Sequence, residues 1–593
     1  MGKNRLITIV LAVSLLGLPL SACSAEERPG PEEAVQSLAD GLSRLDVTGN
    51  EFAGSTVEAV NGMLLHLVSG MDIGPSVTVE GIEEVSGNEA RATLHYVWDV
   101  NASPEDYTYN TTVTLERGPD SGWETRFRST TVHPDLQPGQ RLIRESSSLP
   151  RADILGSGGD VLVRHWPVWR VGLDKSVLGE HEYASAAGYL AVYLGLDPAA
   201  YTAEVLGAGP KAFIEAVTVR QDKVIPAFEK DIATVPGAAA LSERRVLAPS
   251  PTFAAALLGA VGEATPEMAA DAGIPLAAGD LIGISGLQLE YDSMLRGADA
   301  VAVRITDADK NRSKPLFEAA AVPGVPLKTT LDAGVQALAE ASLSDQSAGS
   351  ALVAVQPSTG NVLAVANGPR SKGAQTALLG EFSLGSAFTP AARLAALRSG
   401  SAPDGGGSVT AGSEQEFDAA ARSLGLGVEP NLGTPAFSGT VAREPESTGE
   451  AEQAAAKPGN AVVSPFALAV TAASIARGER VEPTLVLNAA DAPAASGGTT
   501  AGEAPSPDGS GAPEPLTAAE SKALQTMMRG VAEEVLPDTD MLALAGTAES
   551  GGDTPRPHAW IAAVRGDIAV ALLVEGSDPQ QAAPVLQAFL DGL

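Results

Sequence analysis

The chain has 593 residues, 44% of them hydrophobic, and sets 39 Lys and Arg against 73 Asp and Glu for a formal net charge of −34. That length holds roughly two to four domains with cores of their own. That acidity excludes a nucleic-acid binder, whose phosphate contacts need a basic footprint, and gives a soluble, self-repelling surface.

Lys3 and Arg5 precede an apolar run from Leu6 to Leu20, too short for a membrane span. Leu20-Ser21-Ala22-Cys23 follows, and Cys23 is the single cysteine, so an intramolecular disulfide is impossible. The pattern resembles the bacterial lipobox, whose cysteine is cleaved at its amino side and lipidated. It implies a lipoprotein signal peptide over 1–22, a lipidated stem over 23–30, and a chain anchored to the outer face of the plasma membrane. Stable anchoring of this kind uses more than one acyl chain.

Residues 31–144 read as a compact α+β domain. Pro31-Glu32-Glu33 opens a helix with proline in the first turn and acids at the positive end, and Val35, Leu38, Leu42 and Leu45 repeat at helical spacing. Alternating strands are predicted at 76–83, 90–100, 107–116 and 123–132. The stretch from Trp123 to Gly139, with Val132-His133-Pro134 and Leu136-x-Pro138-Gly139, resembles the end of the NTF2-like domain of methicillin-resistance-type, class B penicillin-binding proteins. The resemblance implies a curved sheet closed by helices into a cone that serves as a spacer.

Residues 146–326 begin with Arg151-Ala152-Asp153-Ile154-Leu155 and end with Gly286-Leu287-Gln288-x-x-Tyr291-Asp292-x-x-Leu295-x-Gly297. Both resemble the dimerisation, or pedestal, domain of that family. The second pattern is read as structural, a helix from Gln288 to Leu295 presenting Leu289 and Leu295 to a core and stopped by Gly297.

Residues 327–593 resemble the family's transpeptidase domain, of serine β-lactamase-like fold, with an antiparallel sheet between helices. Leu327 to Asp332 begins it. A hairpin of 350–356 and 361–366 turns at Pro357-Ser358-Thr359-Gly360. A second hairpin, 559–564 and 568–574, turns at Arg565-Gly566-Asp567, read as a turn and not an adhesion motif. Helices at 331–343 and 580–593 bracket the sheet. Residues 401–412 read as flexible, and 491–515, rich in Gly, Ala, Ser, Pro and Thr, as a disordered insertion.

Acyl transfer on this scaffold uses Ser-x-x-Lys, Ser-x-Asn and Lys-Thr-Gly. A serine hydroxyl must hand its proton to a base. A lysine three residues on shares its helix face and accepts the proton only when burial and nearby positive charge keep it neutral. The third-motif lysine supplies part of that field, and its strand contributes an oxyanion-hole N–H. Here Ser386 holds the nucleophile position, but Thr389 replaces the first lysine. Arg393 is too basic to deprotonate. Ser413-Glu414-Gln415 is the nearest second-motif candidate, and only about twenty residues separate the helix after Ser386 from Ala420 to Gly427, so that segment is read as deleted. Of the third motif Gly546 and Thr547 remain, while Leu544 takes the lysine position. His558 is read as a surface or strand-end histidine. No spacing matches a metal site or a phosphate loop, and no cofactor is expected.

Loss of an activating base in a serine hydrolase costs on the order of 10⁶ in kcat. The resemblance therefore implies a penicillin-binding-protein homologue of the cell envelope that is catalytically inactive, a scaffold or a binder of peptidoglycan stem peptides or cell-wall synthesis proteins. Two alternatives stay open: a slow serine D,D-transpeptidase acylated at Ser386, and a solute-binding lipoprotein built on the N-terminal cone.

Overall fold

The computed structural model describes residues 30–101, 103–119, 122–271, 276, 278–307, 313–400, 414–440, 461–491, 513–536, 540–550 and 556–593. The lipobox with Cys23, the stretch 401–412, Ser413 and most of 491–515 lie outside them. Among the described residues no helix is long and apolar enough to cross a membrane. The chain divides into two compact units, the first comprising 30–100, 104–145 and 302–318, the second 101–103, 146–301 and 319–593.

In the first unit, helix α1 (Glu32–Arg44) starts after Pro31 with both acids in its first turn. Val35, Leu38 and Leu42 are buried. Leu45 instead takes the left-handed C-cap position, φ 55°, and so ends the helix where the periodicity would have continued it. Helix α2 (Val57–Val68) is capped by the Thr56 side chain, which accepts from the Ala59 N–H. Strands β1 (Ser76–Ser86), β2 (Glu89–Trp98), β3 (Tyr107–Arg117) and β4 (Trp123–Arg126) form an antiparallel sheet in sequence order. Every second residue of β2 from Ala90 to Trp98 is buried, the period of a half-buried strand.

The strand expected to reach Val132 stops at Arg126, and Ser129–Val132 is a short helix. The Thr131 carbonyl accepts from the hydroxyls of Tyr96 (2.8 Å) and Thr111 (3.1 Å), and the Val132 carbonyl from that of Tyr109 (2.9 Å). Those carbonyls satisfy interior hydroxyls and so do not extend the ladder. Strand β5 (Arg141–Ser147) forms a three-stranded sheet with the hairpin Ala300–Thr306 and Ser313–Ala319. That hairpin lies within the stretch 146–326 in sequence, yet its residues 302–318 pack in the first unit.

The interior of this unit is filled by its own aromatic rings. Tyr96 and Tyr109 stack at 5.2 Å, the Trp98 indole N–H donates to the Tyr109 hydroxyl (3.0 Å), and Phe317 of the hairpin lies 5.2 Å from Tyr107. The Asp135 N–H donates to Nδ1 of His133 (3.1 Å), so Nε2 carries the proton and donates to the Tyr107 hydroxyl at 2.7 Å. Burial dominates and lowers the His133 pKa to about 4. The unfolded chain protonates this histidine near its ordinary value of about 6.5. Its contribution to stability is therefore complete above about 6.5 and is lost as pH falls towards 4, with proton uptake on unfolding. His133→Gln should flatten the pH dependence of thermal unfolding in that window. An unchanged slope would assign the titration to other groups.

In the second unit, strand β6 (Val161–Asp174) pairs on one side with β7 (Phe213–Arg220) and on the other with β8 (Ala238–Leu247). Helices α3 (Tyr183–Leu194) and α4 (Pro198–Gly207) close a core of Leu173, Ala187, Leu190, Val205 and Ile214. Lys175, 2% exposed, donates to the carbonyls of Val205 (2.7 Å) and Ala208 (2.5 Å) and lies 4.3 Å from the Tyr183 ring. Its ammonium stabilises the negative end of α4.

The single helix expected over 288–295 is two short ones, Gly286–Glu290 and Asp292–Arg296, meeting at Tyr291. Leu295 is buried, but Leu289 is 53% exposed, and Leu287 and Gln288 face inward instead. Arg151 explains the rotation. Its guanidinium binds the Gln288 side chain (2.6 Å), the Gln288 carbonyl (2.7 Å) and the Asp292 carboxylate (2.6 Å), which turns Gln288 in and Leu289 out.

The C-terminal part of this unit is built on a five-stranded antiparallel sheet. Its strands are β9 (Ser350–Val355), β10 (Val362–Asn367), β11 (Leu542–Ser550), β12 (Arg556–Arg565) and β13 (Ile568–Glu575), in the order β10-β9-β13-β12-β11. Helix α5 (Ala333–Leu343) is capped by Asp332, whose carboxylate accepts from the Gly334 and Val335 N–H groups. The helix therefore starts two residues later than its apolar pattern. Other helices follow: α6 (Thr389–Arg398), α7 (Glu414–Ser423), α8 (Pro465–Arg477), α9 (Ala518–Val535) and α10 (Pro579–Asp591). Residues of α5, α9 and α10 pack with one face of the sheet, Leu352, Ala354, Ile561 and Leu572 among it. Those of α6, α7 and α8 pack with the other, which carries Val353, Leu544, Trp560 and Ala571.

Both turns are occupied structurally. At Gly360, φ 83°, a Cβ would lie 2.1 Å from the Glu482 carbonyl oxygen, so only glycine fits. Asp567 accepts from Gln356 (2.8 Å) and from the Ser358 N–H (2.9 Å) and hydroxyl (2.5 Å), while Arg565 binds the Leu590 carbonyl (2.6 Å).

Candidate functional site

Phe382–Ser383 pairs with Val462–Val463, and the Leu384 N–H donates to the Ala461 carbonyl (2.8 Å). Next comes a tight turn, Gly385–Phe388, holding Ser386, and then α6, which opens at Thr389 with Pro390 in its first turn. The turn lies directly on the edge strand β11. Gly385 has φ 50°, and a Cβ there would lie 2.2 Å from the Thr547 carbonyl oxygen and 2.5 Å from the Ala548 Cβ. The fold thus brings Ser386, Thr389 and the Leu544–Thr547 stretch into one neighbourhood, although more than 150 residues separate them in sequence.

The chemistry of that neighbourhood is apolar. Leu544 is 3% exposed and shares a core with Leu384, Ala387, Phe466 and Trp560. It pairs with Ala562 in the ladder, Gly546 with Trp560 and Thr547 with Ala559. Thr547 is exposed beside the turn. Thr389, exposed at the start of α6, offers a hydroxyl, which is no base near neutrality. Of the nearby cations, Arg398 is committed elsewhere. It pairs with Glu520 (3.1 Å), donates to Ser423 (2.9 Å) and to the Pro515 carbonyl (3.2 Å), and so ties α6, α7 and α9 together.

His558 is not at the surface. It is 1% exposed, and Nε2 lies 2.8 Å from the Ser383 carbonyl oxygen, which also accepts from the Trp560 indole N–H at 2.8 Å. A carbonyl only accepts, so Nε2 carries the proton and presents no lone pair to a hydroxyl. Burial, the largest effect, holds the pKa of His558 below the usual histidine value, against the pull of the Ser383 and Arg556 backbone. His558 and Trp560 therefore position the strand that leads into the serine turn. The link from Trp560 to Ser383 is a contact across 177 residues that no local pattern reports.

Of the second-motif candidate only Glu414 and Gln415 are described, at the start of α7. That helix follows α6 closely, and Phe417 meets Phe388 edge to face at 6.0 Å. Among the described residues no group of three or more His, Cys, Asp or Glu side chains could hold a metal ion.

Residues 146–329 match the family model of the penicillin-binding protein dimerisation domain. No curated protein matches the chain. The match covers under a third of the sequence, and it includes Arg151 and the segment 286–297, whose patterns pointed to that domain.

Proposed function

We propose, for a chain that carries a penicillin-binding protein dimerisation domain, that residues 327–593 are a transpeptidase-like domain that no longer transfers acyl groups. The protein then serves as a scaffold or binding module in peptidoglycan assembly, and its partners are stem peptides or cell-wall synthesis proteins. Residues 1–22 act as the signal peptide, and lipidated Cys23 holds the mature chain at the outer face of the plasma membrane. Residues 31–144 are the NTF2-like spacer, and the aromatic filling of that unit speaks against a solute carrier.

One observation carries the reading. Leu544, 3% exposed, occupies the strand position beside the serine turn where an acyl transferase of this kind holds a lysine. A buried leucine supplies none of the positive field that the third-motif lysine would lend to keep an amine at position 389 neutral, and position 389 holds no amine. The second reading, slow acylation at Ser386, is favoured by the close seating of the Gly385 turn on β11, which keeps the backbone arrangement such chemistry uses.

Fluorescent penicillin separates the two. Purified protein should take up no covalent label, and Ser386→Ala should behave as the parent does. Thr389→Lys combined with Leu544→Lys, its folding checked by thermal melting, should also stay unlabelled because the second-motif segment is missing. An adduct mapped to Ser386 by mass spectrometry, and absent from Ser386→Ala, would establish the enzyme reading instead.

A further inference from the structure

A cavity of about 400 Å³ lies between α5 and the segment 249–253, and no residue of the serine turn lines it. Ala333, Ala337 and Ala341 form one wall, a helical turn apart, and Phe253 forms part of another. Glu340 lines the same space with Thr252. The Glu340 carboxylate accepts from the Ala254 N–H (2.5 Å) and the Gln336 side-chain amide (2.7 Å), and Thr252 bonds to it as well.

All three donors are neutral, and no lysine, arginine or histidine among the described residues pairs with Glu340. Burial outweighs the donors and holds the carboxyl above the usual carboxylate range. The site is a half-buried anion whose desolvation is incompletely offset, set in a small, largely apolar recess. A few polar groups in an apolar concavity are the ordinary make-up of a small-ligand pocket.

We propose that this cavity binds a protonated amine with a compact apolar body, its ammonium pairing with Glu340 and its body packing on the alanine wall. A cation supplies the interaction that the neutral donors do not, and the pair gains strength from partial exclusion of water. The net charge of −34 raises the local concentration of cations and repels anionic competitors. The same ammonium chemistry is offered by a free small amine and by the lysyl side chain of a peptide. The site shares no residue with the Ser386 neighbourhood, so it stands or falls apart from the acyl-transfer reading.

Titration calorimetry on the full chain tests it with three probes: phenethylamine, its neutral analogue phenethyl alcohol, and Nα-acetyl-lysine methylamide. Phenethylamine should bind at least about tenfold more tightly than the alcohol, and Glu340→Gln should remove that difference. Glutamine keeps an oxygen for the Ala254 N–H, so the fold should persist. Ala337, exposed at the cavity, allows an independent variant: Ala337→Leu should fill the space and abolish binding without disturbing the core. Tighter binding of the lysine derivative than of phenethylamine would assign the site to a peptide side chain, and the reverse order to a free amine. Equal affinity of amine and alcohol, indifference to Glu340→Gln, or no saturable heat at about 20 mM phenethylamine would overturn the proposal. Should Glu340→Gln fail to fold, the amine–alcohol comparison and Ala337→Leu decide.

Discussion

Arg151→Ala should destabilise the second unit by about 3 kcal/mol, the lower end of what breaking a buried ion pair costs. Its guanidinium is 5% exposed and makes three short bonds, two to Gln288 and one to Asp292. Truncation leaves the Gln288 carbonyl and side-chain oxygen without their donor and the Asp292 carboxylate, 17% exposed, without its main cation. Arg296, 3.3 Å from Asp292, and the Gly283 N–H at 2.7 Å remain, which is why the lower end is expected. Urea unfolding followed by circular dichroism measures the loss. Adding Asp292→Asn to Arg151→Ala should recover part of it, because much of the cost is the charge left behind. A loss under about 1 kcal/mol would mean that the network is replaceable by water.

Trp560→Ala should cost about 3–5 kcal/mol, the range for truncating a buried aromatic. The indole is fully buried in the face of the sheet shared with α8, and it is one of two donors to the Ser383 carbonyl. Trp560→Phe keeps a six-membered ring in the core and removes the N–H with a smaller part of the indole volume. His558 still holds the carbonyl at 2.8 Å, so that variant should lose about 1–2 kcal/mol, clearly less than the alanine variant. Comparing the two by chemical denaturation separates volume from hydrogen bonding. Equal losses would place the whole effect in the hydrogen bond and refute the packing account.

The elements that local patterns specify were legible before the fold was known. The hairpin around Pro357–Gly360 and the one around Arg565–Asp567 lie where turn residues and apolar runs put them, and α1 buries the residues its spacing selects. The fold departs from those patterns where a distant group overrides them. Leu289 is outward because Arg151, 137 positions earlier, pulls Gln288 inward. The strand after Trp123 stops early because tyrosines on β2 and β3 claim its carbonyls. The hairpin at 302–318 joins the first unit through pairing with β5, and no periodicity encodes a partner. At the candidate site the identities of Ser386, Thr389 and Leu544 were plain in the sequence. The anchoring of Ser383 by His558 and Trp560 was not, since it depends on which strands become neighbours.

Helix α8 is buried along nearly its whole length, and Ala469, Ala472 and Ala473 share a core with Ala562, Ala569 and Ala571 of the sheet. Side chains this short let two layers settle close together, and a close-packed interior has little slack. Extra methylenes have nowhere to go except into the backbone, at about 1–3 kcal/mol, and trimming alanine to glycine costs the helix about 1 kcal/mol in conformational freedom. This central seam is thus bounded from both sides: growth strains the backbone and shrinkage loosens the helix that runs under the sheet.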